Sequence, residues 1–290
     1  MATFSLALSG GGILGAAHLG ALDALYAAGL VPDAFAGTSS GGLVAGFLAA
    51  GGRLSDLLKF GRTVAAHPAR YFGVNVHGLL DELLPALGPR PTGLITPAGF
   101  INGLTSLVPA VTKTAQWSVP AAVISVDLVR EEAAVFTAGA PGRKPFGRWR
   151  VIGDGTLADA LTATMAMPGL FDGVRLPDAV LVDGGVADTL PADWAYALCP
   201  GPVLAINVTP SRTMAPAEIG IVETLSRSEQ YLTSLVSTLR SRHLPILTVA
   251  PDTSGFPFLA FKDFATLVDI GRRAIQSRLP EIRRFIGQSA

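Results

Sequence analysis

The chain has 290 residues, with 22 Lys and Arg against 22 Asp and Glu, and a hydrophobic content of 49% that does not include its 33 glycines. Only 15% of residues are charged, against roughly 25% in an average soluble domain. This composition excludes a disordered, highly charged chain and argues against a nucleic-acid binder, which needs a positive field. A single cysteine, Cys199, excludes an internal disulfide and any multi-cysteine metal site.

Thr3 to Leu8 is a short apolar run suited to a buried parallel strand. Gly10-Gly11-Gly12 breaks it, and Ala16 to Ala28 follows as a helix with Gly29 as its C-cap. Ala34 to Gly37 is a second strand, and Ser39 turns the chain into a helix closed by Gly51-Gly52. Strand, turn and helix twice in succession predict βαβ crossovers, a parallel sheet and an α/β fold. Leu54 to Val64 and Gly78 to Leu87 read as helices. Pro85, Pro89, Pro91 and Pro97 interrupt the pattern before Gly99 to Leu107. Ala121 to Val126 is a strand with Ala133 to Thr137 as its hairpin partner, and Pro141 to Arg150 is a basic, Gly/Pro-rich loop. Thr156 to Ala166 is helical, and Val180 to Val182 is a strand running into Asp183-Gly184-Gly185. Pro202 to Val208 and Leu244 to Val249 complete the strands. Ala217 to Leu239 forms one or two amphipathic helices, and Phe264 to Arg278 is the last long one. The expectation is one domain over residues 1–290, with residues 53–116 as a helical, partly lid-like region.

No run of 18 apolar residues marks a membrane span; His18 and Asp23 interrupt the nearest, Gly10 to Leu30. Met1 to Leu8 carries no positive charge, unlike a secretory signal. The chain is expected to be cytoplasmic, although a mature form that had lost its leader would read the same way.

Gly10, Gly12 and Gly15 form a G-x-G-x-x-G pattern between a strand and a helix. Such a loop presents backbone N–H groups to an anion, either a nucleotide phosphate or the oxyanion of a tetrahedral intermediate. Asp33 is misplaced for the ribose-binding acid of a dinucleotide fold, since it precedes the second strand. Gly37-Thr38-Ser39-Ser40-Gly41 is G-x-S-x-G between a strand and a helix, the context of a nucleophile elbow. A parallel arrangement puts both turns at one sheet edge and makes Ser39 the candidate nucleophile, with Ser40 as its neighbour and a helix N-cap as the plain structural role. A serine needs a base. The order Ser39, Asp183, His243 fits a triad, but His243 lies in a connector before a strand. His18 is placed to brace the glycine loop, and His67 and His77 fall in the irregular region. No histidine has metal-ligand spacing with another. Asp183, at a strand end before two glycines, is the better candidate base.

Four stretches in this order carry a resemblance: Gly10–Gly15, Gly37–Gly41, Ala163–Phe171 (ATMAMPGLF) and Asp183–Pro191 (DGGVADTLP). Together they resemble the patatin-like lipid acyl hydrolases, a family of phospholipases and esterases. The resemblance implies a three-layer α/β/α fold with a mainly parallel central sheet and the elbow near the N-terminus. It implies a Ser39–Asp183 dyad acting through an acyl-enzyme, an oxyanion hole at Gly10, Gly11 and Gly12, and support from Gly37, Gly41, Gly184 and Gly185. It implies an acyl-ester or lipid substrate, and neither a cofactor nor a metal. Two positions depart from the family's pattern: Leu14 stands where a basic residue is usual, and Thr189 where Asn is usual.

Two segments are candidates for peripheral membrane contact. Residues 263–284 combine Arg272, Arg273, Arg278, Arg283 and Arg284 with an apolar face of Phe264, Leu267, Val268, Ile275 and Leu279. The same pattern suits a helix packed on the sheet with a solvated arginine face. The loop around Phe146 and Trp149 is the second candidate. The Pro-rich residues 85–107 suit a lid.

Overall fold

The computed structural model describes residues 3–75, 91–108, 113–138, 141–142, 145–209, 213 and 215–287. The expected helix at 78–87 and the position of His77 lie outside them.

In chain order the elements are β1 (Ser5–Leu8), α1 (Ala16–Ala27), β2 (Ala34–Thr38), α2 (Ser40–Ala49), α3 (Leu54–Ala66), β3 (Gly73–Val74), β4 (Gly93–Thr96) and α4 (Ala98–Thr105). They continue with β5 (Ala121–Asp127), β6 (Glu132–Ala138), β7 (Trp149–Val151), α5 (Leu157–Met165), β8 (Gly169–Phe171), β9 (Val174–Leu176) and β10 (Ala179–Asp183). Last come α6 (Ala192–Leu198), β11 (Val203–Ile206), α7 (Ile221–Ser241), β12 (Ile246–Val249) and α8 (Phe264–Phe285).

The main sheet runs β12-β11-β1-β2-β5-β10-β9, with β6 and β7 branching from β5. The pairs β12/β11, β11/β1, β1/β2 and β2/β5 are all parallel. Period-2 alternation sorts the strand residues into two faces. Leu6, Leu8, Phe35, Val123 and Leu204 face the larger core with α1, α2 and α8. Ala7, Ala36, Ala122 and Ala205 face the other, where their small side chains let the short helix α6 insert Trp194. These layers are the expected α/β/α arrangement, with helices covering both faces as a parallel sheet requires.

Three local details differ from expectation. Trp149 and Arg150, expected at the end of a loop, belong to β7, which pairs in parallel with β6, and Trp149 meets Trp194 edge-on at 4.9 Å. Helix α6 and the short strands β8 and β9 have no clear signal in the sequence. Helix α7, expected over Ala217 to Leu239 as one or two helices, is one continuous helix that starts four residues later.

Helix α8 packs along α1 so closely that a Cβ on Gly20 would fall 1.7 Å from the Val268 carbonyl oxygen. Its apolar residues Phe264, Leu267, Val268 and Ile275 are therefore buried in the core, not offered to a membrane. Arg272 pairs with Asp23 and Asp269, Arg278 pairs with Glu281, and Arg283 donates to the Ala28 carbonyl. Of the two sequence readings, packing against the body of the protein is the one realised.

Candidate active site

Strand β5 positions both candidate catalytic residues. One of its edges is taken along its whole length by β6, from Ala121↔Ala138 to Asp127↔Glu132. The other edge is shared: parallel β2 ends at Thr38↔Ile124, and antiparallel β10 ends at Asp183↔Ser125. The two strands therefore meet head-on along one edge, and their C-terminal ends bring Ser39 and Asp183 together. The Ser39 hydroxyl lies close enough to the Asp183 carboxylate to favour its charged form.

Ser39 sits at φ 53°, ψ −123°, a conformation L-residues rarely adopt. The surroundings hold it there. A Cβ at Gly37 would lie 2.2 Å from the Gly41 carbonyl oxygen, and one at Gly41 would lie 2.3 Å from that of Leu8. Only glycine at both positions lets the turn close this tightly. The Ser39 N–H donates to Thr164 Oγ1 at 2.9 Å, and the Thr164 hydroxyl donates to the Ile124 carbonyl at 2.7 Å. Thr164 lies on α5, which starts with a reciprocal capping box between Thr156 and Asp159. The first turn of α2 begins immediately after Ser39, so its free N–H groups lie beside the nucleophile.

The Asp183 N–H donates to the Ala166 carbonyl at 2.9 Å, which ties the ATMAMP stretch to the site. One carboxylate oxygen, Oδ1, accepts from the Gly185 N–H at 2.8 Å. Asp183 is fully buried, and burial lifts its pKa to about 7 against the lowering effects of the Gly185 N–H and the Ser39 hydroxyl. Gly184 is required by contact, since a Cβ there would lie 2.4 Å from the Ile124 carbonyl oxygen.

The glycine loop lies against the elbow; a Cβ on Gly10 would be 3.3 Å from Ser39 Cβ. The expectation that Gly10, Gly11 and Gly12 all serve as N–H donors needs a correction. The Gly10 N–H is occupied by the Thr189 carbonyl at 2.9 Å. Among the described residues, the N–H groups of Gly11 and Gly12 have no backbone acceptor, and Gly12 holds a left-handed φ of 56°. Ser9 anchors the loop: its Oγ accepts from the Val208 N–H at 2.9 Å and donates to the Gly10 carbonyl at 2.9 Å. His18 is buried with Nε2 2.8 Å from the Ser9 carbonyl, and burial lowers its pKa to about 4, so it stays neutral and braces the loop.

His243 does not join the site. It is exposed after α7, accepts from Arg242, and borders a separate cavity with Phe146 and Tyr196. The triad is thereby overturned. His67 is exposed at the end of α3, as a plain surface position.

Two cavities open from Ser39 and Asp183. One is apolar, about 140 Å³, and walled by Leu43, Leu57, Phe60, Val64, Phe100 and Leu104, among others. Most of these come from α3 and α4, so part of the 53–116 region forms a wall of this cavity. The other is polar and includes Leu14, Thr189, Thr209, Glu223, Arg227, Glu229 and Gln230. Its wall is α7, whose contribution the sequence did not reveal. Glu229 reaches inward until a Cβ on Gly185 would lie 1.8 Å from its Oε1 and 3.3 Å from Asp183 Oδ1. Burial, followed by the neighbouring Asp183, lifts the Glu229 pKa to about 9, so it is neutral when Asp183 ionises. The Glu223 carboxylate accepts from the Phe258 N–H at 3.0 Å.

Behind the site, Asp188 is buried. It accepts from Ser237 Oγ at 2.5 Å and pairs with Arg240 at 3.3 Å, while the Thr38 hydroxyl donates to its carbonyl at 2.8 Å. The cluster ties α7 to the strand that carries the elbow. Among the described residues no group of His, Cys, Asp and Glu could hold a metal ion, and no helix is long and apolar enough to cross a membrane.

The family model described as patatin-like phospholipase matches residues 6–196. An uncharacterized NTE family protein of Mycobacterium tuberculosis is 27% identical over 307 residues, covering 96% of this chain and 46% of its own length. Patatin-like phospholipase domain-containing protein 6 of Mus musculus is 29% identical over 208 residues, covering 71% of this chain and 13% of its own. The chain thus spans about half the length of the mycobacterial relatives it matches. Among solved structures, VipD from Legionella pneumophila aligns with TM-score 0.47 and 15% identity over 97% of this chain and 67% of its own. Human GIVD cytosolic phospholipase A2, in complex with methyl gamma-linolenyl fluorophosphonate, aligns with TM-score 0.49 and 13% identity over 98% of this chain and 59% of its own.

Proposed function

We propose, for a chain that belongs to the patatin-like phospholipase family, that it is a serine acyl-ester hydrolase acting on lipid-like esters through a Ser39–Asp183 dyad. One observation carries this reading: a serine in a strained turn, facing a buried carboxylate, at the junction of an apolar and a polar cavity. The acyl chain takes the apolar cavity and the alcohol portion takes the polar one.

Ser39 Oγ attacks the ester carbonyl carbon while Asp183 takes its proton. The negative charge on the carbonyl oxygen is held by the Gly11 and Gly12 N–H groups. The C–O bond to the alcohol breaks, the alkoxide receives the proton from Asp183, and an acyl-Ser39 ester remains. Asp183 then accepts a proton from an attacking water, and the tetrahedral intermediate collapses to the free acid as Asp183 returns that proton to Ser39 Oγ. A base with a pKa of about 7 suits this cycle, because it both takes and returns a proton near neutral pH.

The polar cavity holds the carboxyl groups of Glu223 and Glu229 beside one cation, Arg227, and Leu14 supplies no charge. This lining favours an uncharged or zwitterionic leaving group over an anionic one. The reading treats residues 1–290 as one hydrolase unit, with α3 and α4 as the acyl-cavity wall.

The test is labelling by a fluorophosphonate probe together with turnover of nitrophenyl esters and phosphatidylcholine. Wild type should label and turn over, Ser39→Ala should do neither, and His243→Ala should keep most activity. A folded wild-type protein that neither labels nor hydrolyses either substrate sinks the proposal.

A further inference from the structure

Helix α7 has an inverted polarity. A surface helix ordinarily turns its apolar stripe inward and its charges outward. Here every charged residue of Ile221–Ser241 is turned toward the protein: Glu223 is buried, and Arg227, Glu229 and Arg240 are half-buried. Glu223 holds the Phe258 N–H, Glu229 lies against Gly185 beside Asp183, and Arg240 pairs with Asp188. The outward face is Ile221, Thr224, Leu225, Ser228, Tyr231, Leu232, Ser234, Leu235, Thr238 and Leu239, without one charge. Ile221 is 82% exposed, Tyr231 83%, Leu232 70% and Leu235 63%. A contiguous exposed apolar face of this extent marks an interaction surface.

What covers it follows from where it leads. A groove lined by Met167, Pro168, Val186, Leu225 and Leu232 runs from this face, and Val186 extends the apolar surface at its edge. Met167 and Glu229 line both this groove and the cavity containing Ser39 and Asp183. Met167 also lines the apolar cavity proposed for the acyl chain, so the groove gives an acyl chain an entrance beside that cavity. A second copy of the chain seated on the same face would cover that entrance.

We infer that the outward face of α7 is the surface on which the protein docks to a lipid bilayer, by apolar insertion and without requiring anionic lipid. The choice of a lipid surface rests on the acyl-hydrolase reading, but the docking has its own readout. Membrane-surface helices commonly add electrostatic attraction through basic residues on the polar face; this outward face has none, so its binding should depend little on salt.

The experiment is flotation of the full chain with phosphatidylcholine vesicles at low and high salt, with short nitrophenyl ester hydrolysis measured in parallel. Wild type and Ser39→Ala should float equally at both salt concentrations. The double variant Tyr231→Asp/Leu235→Asp should lose at least tenfold in vesicle partition while keeping wild-type hydrolysis of the soluble ester. Ser228→Trp, which adds an interfacial aromatic to the same face, should strengthen partition while keeping wild-type hydrolysis of the soluble ester, which a misfolded protein would lose. The inference is overturned if wild type stays with the soluble fraction, if the double variant floats as well as wild type, or if binding needs anionic lipid and vanishes in salt. It is also overturned if wild type is a dimer that the double variant converts to monomer. Vesicle binding without labelling or turnover would instead refute the hydrolase reading and leave the docking surface standing.

Discussion

Replacing Asp183 with Asn should abolish turnover and at the same time stabilise the protein, increasingly so as pH rises. Asp183 is fully buried, and burial is the largest influence on its carboxyl, raising its pKa from 3.8 to about 7. The direction is opposite to that of a salt-bridged carboxylate. Between these two values the folded protein retains a proton that the unfolded chain has released, so stability falls with rising pH and levels off above about 7. With about 1.4 kcal/mol per pKa unit, the penalty is about 2 kcal/mol at pH 5 and about 4 kcal/mol at pH 8. Asn cannot ionise and carries no such penalty. The stability difference between Asp183→Asn and wild type should therefore grow by about 2–3 kcal/mol from pH 5 to pH 8. Glu229 adds to the difference with the same sign, because Asp183's charge helps to raise its pKa to about 9 and the variant removes that charge. Urea unfolding of both proteins at the two pH values measures this directly. A difference that stays constant would refute the claim that Asp183 is buried against its own charge, and with it the proposed tuning of the base.

Four other outcomes are expected. The kcat/KM for a soluble ester should rise with pH through about 7 as Asp183 ionises, and a flat profile from pH 5 to 9 would remove Asp183 as the base. Leu43→Trp should fill part of the apolar cavity and lower kcat/KM for long-chain nitrophenyl esters at least tenfold relative to acetate, read from a chain-length series. Thr164→Val should leave the Ser39 N–H unpaired, costing about 1–3 kcal/mol; kcat should fall more than KM rises if the turn geometry is what is lost. Arg240→Ala should strand the Asp188 carboxylate and destabilise by about 3–5 kcal/mol, measured by urea unfolding, with Arg240→Lys recovering part of the loss.

The parts of the site that are local in sequence were legible in it. A turn that admits only glycine on either side of a serine leaves its mark within five residues, and so does a carboxylate at a strand end before two glycines. The β1-α1-β2-α2 unit was readable for the same reason, because each element carries its own periodicity and its own glycine stop. What joined Ser39 to Asp183 was not, because it depends on β2 and an antiparallel β10 sharing one edge of β5, a pairing between segments more than a hundred residues apart. The loss of Gly10 as a donor also depended on a distant carbonyl, that of Thr189. Two helices show the limit most plainly. Both α7 and α8 are amphipathic in sequence, and of the two only the arginine-rich α8 was a candidate for membrane contact there. Periodicity reveals that a helix has two faces, but only the packing partner decides which one is inward. α1 takes the apolar face of α8, while buried Asp188 and the Phe258 N–H hold charged residues of α7 inward, where Glu229 also meets Asp183, leaving its leucines outside.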